Sequence, residues 1–458
     1  MTMSGATLYV DEAQYWTWAQ HPDWGYFSKP PGIALLIGLS TALFGDGLLG
    51  VKALAMLCYP AAALLAWLLG RRLYGETVAW WAALIVLTLP IYAWLGLFAS
   101  TDALLTLFWL AGLWCYLRAL DRDRWGDWLA LGAVCGLGLL SKYTMAVFIG
   151  AAFLHLYACH RGRLASFRPW AALLLALALL APNIWWNVVH DFPTWRHTAE
   201  ITVNRQSVAH LRHLGEFVAT QWLSFGPVFG CIAVFGLFRL RRIWTDPSAR
   251  LLVCFAFPLW LVVALQAASG GANANWAAPA FAPIAIAIAA WLVARQRHRW
   301  LVAGVMINVL LAAAAYHAPS LLAAAEASQP ARYNPYARAI GWDDLARQLR
   351  PFVAAHPYAV LLADNRTLLA HMAYELRDLR PQVVSWNPEG VAGDHFKLST
   401  DLRAHIGSDA LFIGEQAPEA AVSERFADFR KLASLQVRLD ATASRQLEVY
   451  LLHGFQDY

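Results

Sequence analysis

Charged residues are scarce in this sequence. Only 14% of its 458 residues are Asp, Glu, Lys or Arg, whereas 59% are hydrophobic, and the mean hydropathy is +0.45. A soluble protein carries about 25% charged residues, so this composition excludes an ordinary soluble domain. We also expect no nucleic-acid partner.

Cysteine pairs, internal repeats and low-complexity tracts are also missing. The six cysteines contain no CxxC pair and are scattered through apolar segments, so we interpret them as small buried hydrophobic residues and not as disulfide partners or metal ligands. The histidines within residues 190–212 lack the HxxxH spacing with an acid on one helix face. We therefore predict no metal site from these residue types.

Long apolar runs are what the sequence has in abundance. A helix that crosses a bilayer needs about 20 mostly apolar residues. Ten runs reach or approach this length, at residues 47–69, 78–97, 102–118, 126–140, 143–159, 170–187, 216–238, 250–268, 276–294 and 299–317. The shorter apolar segment 31–44 precedes Gly45 and Gly47, and we expect an interfacial or re-entrant helix there. The sequence therefore predicts a mostly helical, polytopic membrane protein with about ten spans.

Arginines are concentrated in every second loop between these runs. The basic loops lie at residues 71–72, 118–124, 161–168, 239–242 and 295–299. Because Lys and Arg accumulate on the cytoplasmic side of a membrane, we assign these loops to the inside. The intervening loops, which hold most of the other polar residues, are then extracytoplasmic.

The pattern changes near residue 325. Short strand-like runs such as 358–364 and 409–415 alternate with helix-like runs such as 367–378. Such alternation is typical of a small α/β domain with a partly parallel sheet. We therefore divide the chain into an outer loop with interfacial helices (1–46), a transmembrane bundle (47–324) and a soluble, extracytoplasmic α/β domain (325–458).

An aromatic, proline-rich loop near the N-terminus carries acidic and basic residues together. Asp11 and Glu12 open the sequence DEAQYWTWAQHPDWGYFSKPPG, in which Lys29 precedes Pro30 and Pro31. Ionisable residues at a membrane bundle indicate a polar or phosphorylated substrate. A carboxylate here is a candidate general base, although acids at this position also cap helices. The two prolines hold the backbone rigid and would present Lys29 in a fixed place, for a phosphate or for lipid headgroups.

Other candidates stand at the outer ends of predicted helices. Asp102 follows Thr101 at a helix start, where it either caps the helix or lines an active site. Lys142 interrupts an apolar stretch and would either extend to the outer surface or pair with a phosphate or carboxylate. Residues 190–212 contain arginines suited to forked donation to phosphate, and Arg205 is our candidate among them.

These motifs together resemble the family of dolichyl-phosphate-mannose protein mannosyltransferases and their bacterial relatives, including the aminoarabinose lipid A transferase. The matching elements are Asp11-Glu12, residues 25–31 (GYFSKPP), Thr101-Asp102, residues 140–143 (LSKY), residues 182–191 (PNIWWNVVHD) and Asn275-Trp276. The resemblance covers essentially the whole chain. It implies a membrane glycosyltransferase of the GT-C architecture that uses a polyprenyl-phosphate sugar.

The resemblance also implies a role for each candidate residue. The catalytic residues would be Asp11, Glu12 and Asp102, and the substrate-binding residues would be Lys29, Tyr26, Lys142 and Arg205. Asp11 would serve as the base, and Glu12 would act directly or by orienting Asp11. Ser28 stands where the aminoarabinose transferase branch has an acid, so no metal site is carried over, and dependence on a divalent cation stays open.

We therefore expect an inverting glycosyltransferase of the bacterial inner membrane. Its partners would be a polyprenyl-phosphate-linked sugar donor, membrane lipids and an envelope lipid, glycan or protein acceptor, with the active site on the extracytoplasmic side. The main alternative is a transporter or binding protein for an anionic lipid-linked sugar. Transporters commonly show internal repeats, which this sequence lacks.

A second alternative is an inactive, truncated relative. Members of the family begin with an apolar helix before the acidic loop, whereas ten residues precede Asp11 here. Either the first 46 residues cross the membrane behind the first helix, or such a helix precedes Met1. We favour the second interpretation.

Overall fold

The computed structural model describes residues 6–202, 210–238, 244–318, 336–439 and 443–458. The chain forms two compact units. The first comprises Met1–Pro22, Tyr26–Ser28 and His317–Tyr458, and the second comprises Asp23–Gly25 and Lys29–Tyr316. Each unit has its own hydrophobic interior and its own group of candidate residues.

The second unit is built of helices. Numbered along the chain after α1 (Val10–Gln20) of the first unit, its helices are α2 (Gly32–Phe44), α3 (Leu48–Tyr74), α4 (Glu76–Thr88), α5 (Pro90–Leu95), α6 (Thr101–Arg122), α7 (Trp125–Ser141), α8 (Met145–Cys159), α9 (Arg161–Leu164), α10 (Phe167–Val189), α11 (Pro193–Thr202), α12 (His210–Phe225), α13 (Pro227–Leu237), α14 (Pro247–Cys254), α15 (Phe257–Gly270), α16 (Phe281–Ala294) and α17 (His298–Tyr316). A 3₁₀ segment, Ala274–Ala280, precedes α16. The mostly helical, multi-pass architecture predicted from composition is therefore present.

The number of membrane spans is less simple than the apolar runs suggest. In the described residues six helical segments are long and apolar enough to cross a bilayer: Leu48–Tyr74, Thr101–Arg122, Phe167–Val189, Pro247–Gly270, Ala274–Ala294 and His298–Tyr316. A seventh candidate, Arg212–Phe225 with Pro227–Leu237, is bent by 120°. Four further apolar helices, α2, α4, α7 and α8, have 10 to 17 residues. The count of ten spans therefore stays a prediction.

Proline and glycine account for two of the shortened helices. The predicted span 78–97 is divided into α4 and α5 because Pro90 lacks a backbone N–H and cannot continue the helix that ends at Thr88. The predicted span 216–238 bends where Gly226 adopts a φ of +89° before Pro227. A positive φ of this kind is readily adopted only by glycine.

Small residues bring α7 and α10 together. A Cβ atom added to Gly132 would lie 2.5 Å from the carbonyl oxygen of Ala172, and one added to Gly136 would lie 2.6 Å from Leu179. Close approach through small residues is the usual packing mode of membrane helices. It places the C-terminal end of α7, which carries Lys142, beside the polar end of α10.

The first unit contains a five-stranded mixed sheet. Its strands are β1 (Val360–Ala363), β2 (Val383–Ser385), β3 (Ala410–Gly414), β4 (Phe426–Arg438) and β5 (Ser444–Phe455), in the order β2-β1-β3-β5-β4. β1 pairs in parallel with β2 and β3, whereas β5 is antiparallel to β3 and β4. Its helices are α1, α18 (Trp342–Ala355), α19 (Arg366–Glu375), α20 (His395–Ser399) and α21 (Ala420–Ser423). The partly parallel sheet predicted from the alternating pattern is present, whereas β4 was not predicted because residues 427–431 are mostly polar and exposed.

The N-terminal segment joins this same unit. Ala6 forms an antiparallel bridge with Ile340, and the N–H of Thr7 donates to the carbonyl oxygen of Ala339 at 2.7 Å. The chain then enters α1, which packs on α19 through an edge-to-face contact between Trp16 and Tyr374. The acidic pair on α1 is therefore part of the unit that carries the sheet.

Two titratable side chains of α19 are withdrawn from solvent, His371 completely and Glu375 in part. His371 stacks on Trp342 with ring centroids 3.9 Å apart, and its burial holds the pKa well below the usual range. Burial, together with the neighbouring carboxylate of Asp343, raises the pKa of Glu375 from 4.5 to about 7. His371 is therefore neutral at physiological pH, and Glu375 changes its protonation state near that pH.

The raised pKa of Glu375 predicts that this unit loses stability as the pH rises. The folded protein keeps this proton up to about pH 7, whereas the unfolded chain releases it near pH 4.5. The stabilisation from this proton is complete below pH 4.5 and is lost as the pH rises through about 7. The pKa shift corresponds to about 3 kcal/mol in the free energy of unfolding. We expect Glu375→Gln to flatten the fall in melting temperature between pH 5 and 8, measured by thermal unfolding of the purified protein. Equal slopes for the wild type and the variant would contradict this.

Candidate active site

Asp102 of the second unit is held by two side chains. It lies in the first turn of α6, and its side chain is only 5% exposed. The ammonium of Lys142 donates to Oδ1 at 2.7 Å, and the amide Nδ2 of Asn275 donates to Oδ2 at 2.6 Å. Both carboxylate oxygens thus accept short hydrogen bonds, which stabilise the anion within an apolar bundle.

The local structure explains why Lys142 turns toward Asp102. It caps the C-terminus of α7 with an extended backbone, φ −161° and ψ 131°, and its side chain is 15% exposed. Of the alternatives for Lys142, the structure shows pairing with a carboxylate. Ser100 occupies the N-cap position of α6, so Asp102 does not cap this helix, and its carboxylate is bonded to Lys142 and Asn275.

Asn275 completes this cluster from a 3₁₀ segment fixed at two points. The hydroxyl of Tyr92 donates to the carbonyl oxygen of Ala278 at 2.8 Å, and the amide of Gln221 donates to that of Ala274 at 2.9 Å. In the sequence Asn275 belongs to a matching family motif, but it is not one of the predicted site residues. The motif was therefore the only indication of its role.

A network of amides and aromatic rings fixes the segment just before Lys29. Asn183 of α10 donates to the carbonyl oxygen of Trp24 at 2.7 Å and accepts from the hydroxyl of Tyr143 at 2.6 Å. The indole of Trp186 donates to Asp23 at 2.6 Å. These bonds hold residues 23–25 against α10.

The segments that carry Lys29 and Lys142 also pack against each other. Gly32, three residues after Lys29, approaches the end of α7 so closely that an added Cβ would lie 2.7 Å from the carbonyl oxygen of Leu140 and 2.9 Å from Ser141. The second unit therefore brings two cationic segments to one place, beside the anion of Asp102.

The first unit separates the two acids that the sequence placed side by side. Glu12 is buried, and its carboxylate accepts from the N–H of Tyr9 at 2.9 Å, which closes a capping box at the start of α1. Asp11 is 61% exposed and faces the guanidinium of Arg366, at 3.4 Å. Direct catalysis by Glu12 stays a prediction that its burial as a helix cap does not favour.

Tyr26 is buried in the same unit. Its ring stacks on Trp18 with centroids 4.5 Å apart, and its hydroxyl donates to the carbonyl oxygen of Trp18 at 3.1 Å. The imidazole of His395 meets both rings edge on, and burial lowers the pKa of His395 to about 4. Tyr26 therefore holds the loop together, and its binding of substrate stays a prediction that this burial does not favour.

Arg205 lies outside the described residues. Within the described ranges, no group of three or more His, Cys, Asp or Glu side chains is arranged to hold a metal ion. Of the predicted residues, Asp102 and Lys142 meet in the second unit, where Asn275 joins them, and Asp11 lies beside Arg366 in the first unit.

Part of the chain matches a known family by sequence. Residues 28–186 match the family described as dolichyl-phosphate-mannose-protein mannosyltransferase. The lipid A galacturonosyltransferase RgtD of Rhizobium johnstonii is 29% identical over 422 residues, which cover 91% of this chain and 88% of that protein. The undecaprenyl phosphate-alpha-4-amino-4-deoxy-L-arabinose arabinosyl transferase of Pseudomonas aeruginosa is 29% identical over 59% of this chain. The matched part spans about half, 51%, of that transferase.

The fold is similar to that of a solved membrane protein. ArnT from Cupriavidus metallidurans aligns with a TM-score of 0.65 in the apo state and 0.67 when bound to undecaprenyl phosphate. Each alignment covers 98% of this chain and 95% of that protein, at 14% and 15% sequence identity. At this identity the likeness shows a shared fold.

Proposed function

We propose that this chain is a membrane glycosyltransferase of the GT-C type, similar to the protein mannosyltransferases and the lipid A glycosyltransferases, and that it transfers a sugar from a polyprenyl-phosphate donor to an acceptor of the bacterial envelope. The names of its relatives support both halves of this proposal. One relative is named for lipid A and another for an undecaprenyl-phosphate sugar. We place the active site on the extracytoplasmic side of the inner membrane, where the arginine pattern assigns the candidate residues.

The observation that carries the proposal is the cluster of Asp102, Lys142 and Asn275. Departure of a polyprenyl phosphate needs cations or hydrogen-bond donors that stabilise the leaving oxygens. An ammonium has three N–H donors, so the bond from Lys142 to Asp102 leaves two for a phosphate. The nearby segment of Lys29 would supply the second cation. Asp102 and Asn275 would hold Lys142 in the orientation that this contact requires.

The chemistry is a single displacement at the anomeric carbon. The bond between this carbon and the phosphate oxygen breaks, and its electron pair leaves with the polyprenyl phosphate. A bond to the acceptor oxygen forms on the opposite face, with inversion, while Asp11 takes the acceptor's proton. The acceptor would be a lipid, glycan or protein, and lipid A is the first one to test because a relative bears its name.

Mass spectrometry of envelope fractions tests this proposal whichever molecule is the acceptor. Bacteria that express the wild-type chain would be compared with bacteria that express Asp11→Asn at the same level. We expect one lipid, glycan or protein species to gain the mass of a sugar in the wild type alone. Identical envelopes in a host that makes several polyprenyl-phosphate sugars would contradict the proposal.

Removal of the Lys29 cation should weaken stabilisation of the leaving phosphate. We expect Lys29→Gln to lower kcat/KM for the donor by about 100-fold, the usual effect of losing one group that stabilises a developing negative charge. Lys29→Arg keeps the charge and should retain more activity. Steady-state kinetics in detergent or liposomes would measure both.

A matched control for Lys29→Gln is Lys431→Gln. Lys431 lies on β4 and pairs with Glu448 at 2.8 Å, so the control also removes one ammonium. If Lys29→Gln falls within threefold of this control, Lys29 does not bind the leaving phosphate.

A further inference from the structure

Within the first unit, Arg366 of α19 reaches the face of α1 that carries Asp11. Its Nη1 donates to Oε1 of Gln14 at 2.6 Å. Nη1 and Nη2 lie 3.4 and 3.5 Å from the same oxygen of Asp11, Oδ1. Asp11 and Gln14 are three residues apart and so lie on one face of the helix. A single guanidinium therefore spans both side chains.

Arg366 lies near the carboxyl end of β1, and residues at this edge of a sheet commonly bind ligands. It is the first residue of α19, which begins shortly after β1 ends at Ala363, and Asn365 caps this helix by accepting from the N–H of Thr367 at 2.8 Å. β1 lies between the parallel strands β2 and β3. The connection after β1 runs to β2 on one side of the sheet, whereas the connection after β3 runs to β4 on the other side. Ligand sites of open sheets form where neighbouring connections diverge in this way.

We propose that Arg366 is a positioning residue for Asp11, and this inference rests on the proposed glycosyltransferase function. Both guanidinium nitrogens approach Oδ1, so the other oxygen, Oδ2, takes the acceptor's proton. Gln14 anchors the guanidinium at 2.6 Å, while the longer distances to Asp11 permit the carboxylate to adjust when the acceptor binds. Arg366 of α19 thereby contributes directly to the orientation of the base, Asp11.

The chain offers a closely matched control pair. The ion pair of Arg366 with Asp11 has side chains that are 41% and 61% exposed. Arg350 pairs with Asp378 in the same unit at 2.5 Å, with side chains that are 40% and 58% exposed. Arg350→Ala therefore removes an equally exposed arginine from an equally exposed carboxylate, and the Arg350 guanidinium donates to both carboxylate oxygens of Asp378.

The test is steady-state kinetics of Arg366→Ala and Arg350→Ala with a donor that the wild type consumes. We expect Arg366→Ala to lower kcat by 10- to 100-fold, since misplacement of a catalytic group by about 1 Å can cost 10²-fold. The KM values should change less than threefold, and Arg350→Ala should match the wild type. Because the site is partly exposed, added guanidinium or methylguanidinium should restore part of the kcat of Arg366→Ala. The same additives should not raise the kcat of Arg350→Ala or of the wild type.

Three results would overturn this role. One is a kcat for Arg366→Ala equal to that of Arg350→Ala. Another is a raised KM for the acceptor at unchanged kcat, which would make Arg366 an acceptor-binding residue. The third is rescue by guanidinium that is the same for every variant. If Arg366→Ala does not fold, Arg366→Lys and Gln14→Ala decide the question. A lowered kcat in both variants supports the positioning role, and a wild-type kcat in both overturns it.

The failure of this inference is distinct from failure of the proposed function. If the wild type consumes no polyprenyl-phosphate sugar, the proposed function fails and the Arg366 variants are not needed. If the wild type turns over and Arg366→Ala does so equally fast, the proposed function stands and the positioning role does not.

Discussion

Asp11→Asn is expected to reduce turnover by about 10³-fold, within the range that a general base contributes. Asparagine has nearly the same shape but cannot take the acceptor's proton. The carboxylate is 61% exposed, so the substitution should leave the melting temperature and the elution volume of the purified protein unchanged. Single-turnover transfer from a labelled donor would measure the loss.

The neighbouring acid supplies the control for Asp11→Asn. Glu12 closes the capping box of α1, and glutamine at this position can make the same bond to the N–H of Tyr9. We expect Glu12→Gln to keep most of the activity. Equal losses in the two variants would mean that α1 contributes structure alone, and undiminished turnover by Asp11→Asn would remove the base from the mechanism.

The second large effect is expected at the buried ion pair of the second unit. Lys142→Met leaves the carboxylate of Asp102, which is 5% exposed, without its cation. Breaking one side of a buried pair typically destabilises a protein by about 3–5 kcal/mol. We expect a lower melting temperature in detergent together with a loss of donor turnover of at least about 100-fold.

A double variant separates the effect on stability from the effect on catalysis. Lys142→Met with Asp102→Asn removes both charges, so no buried carboxylate is left unpaired. We expect the melting temperature to recover most of its loss while turnover stays low, because no ammonium is left to meet the phosphate. Recovery of turnover along with stability would show that the pair is purely structural.

The sequence predicted the helices well and their lengths less well. Apolar composition alone indicates helices that a bilayer can accommodate, and the C-terminal alternation indicated the mixed sheet. Breaks at Pro90 and at Gly226 were harder to predict, since proline and glycine also occur within continuous membrane helices. β4 was missed because its exposed residues show no hydrophobic alternation over residues 427–431.

The candidate site was predicted only in part, because the residues that meet in it are far apart in the sequence. Periodicity and local motifs identified Asp102 and Lys142 one at a time. They could not show that the two meet across 40 residues of sequence, or that Asn275 joins them across 173. Arg366 meets Asp11 across 355 residues, and no local sequence pattern pairs the two. Such contacts arise only from the packing of complete elements.

Consumption of lipid-linked sugars by the purified protein tests the central claim most directly. The wild type and Asp11→Asn would be reconstituted in liposomes with an acceptor-containing envelope extract and a panel of labelled polyprenyl-phosphate sugars. We predict that the wild type alone releases free polyprenyl phosphate from one member of the panel and transfers its sugar to the extract. Saturable movement of the intact donor across the bilayer without any covalent product would contradict a glycosyltransferase and indicate a transporter.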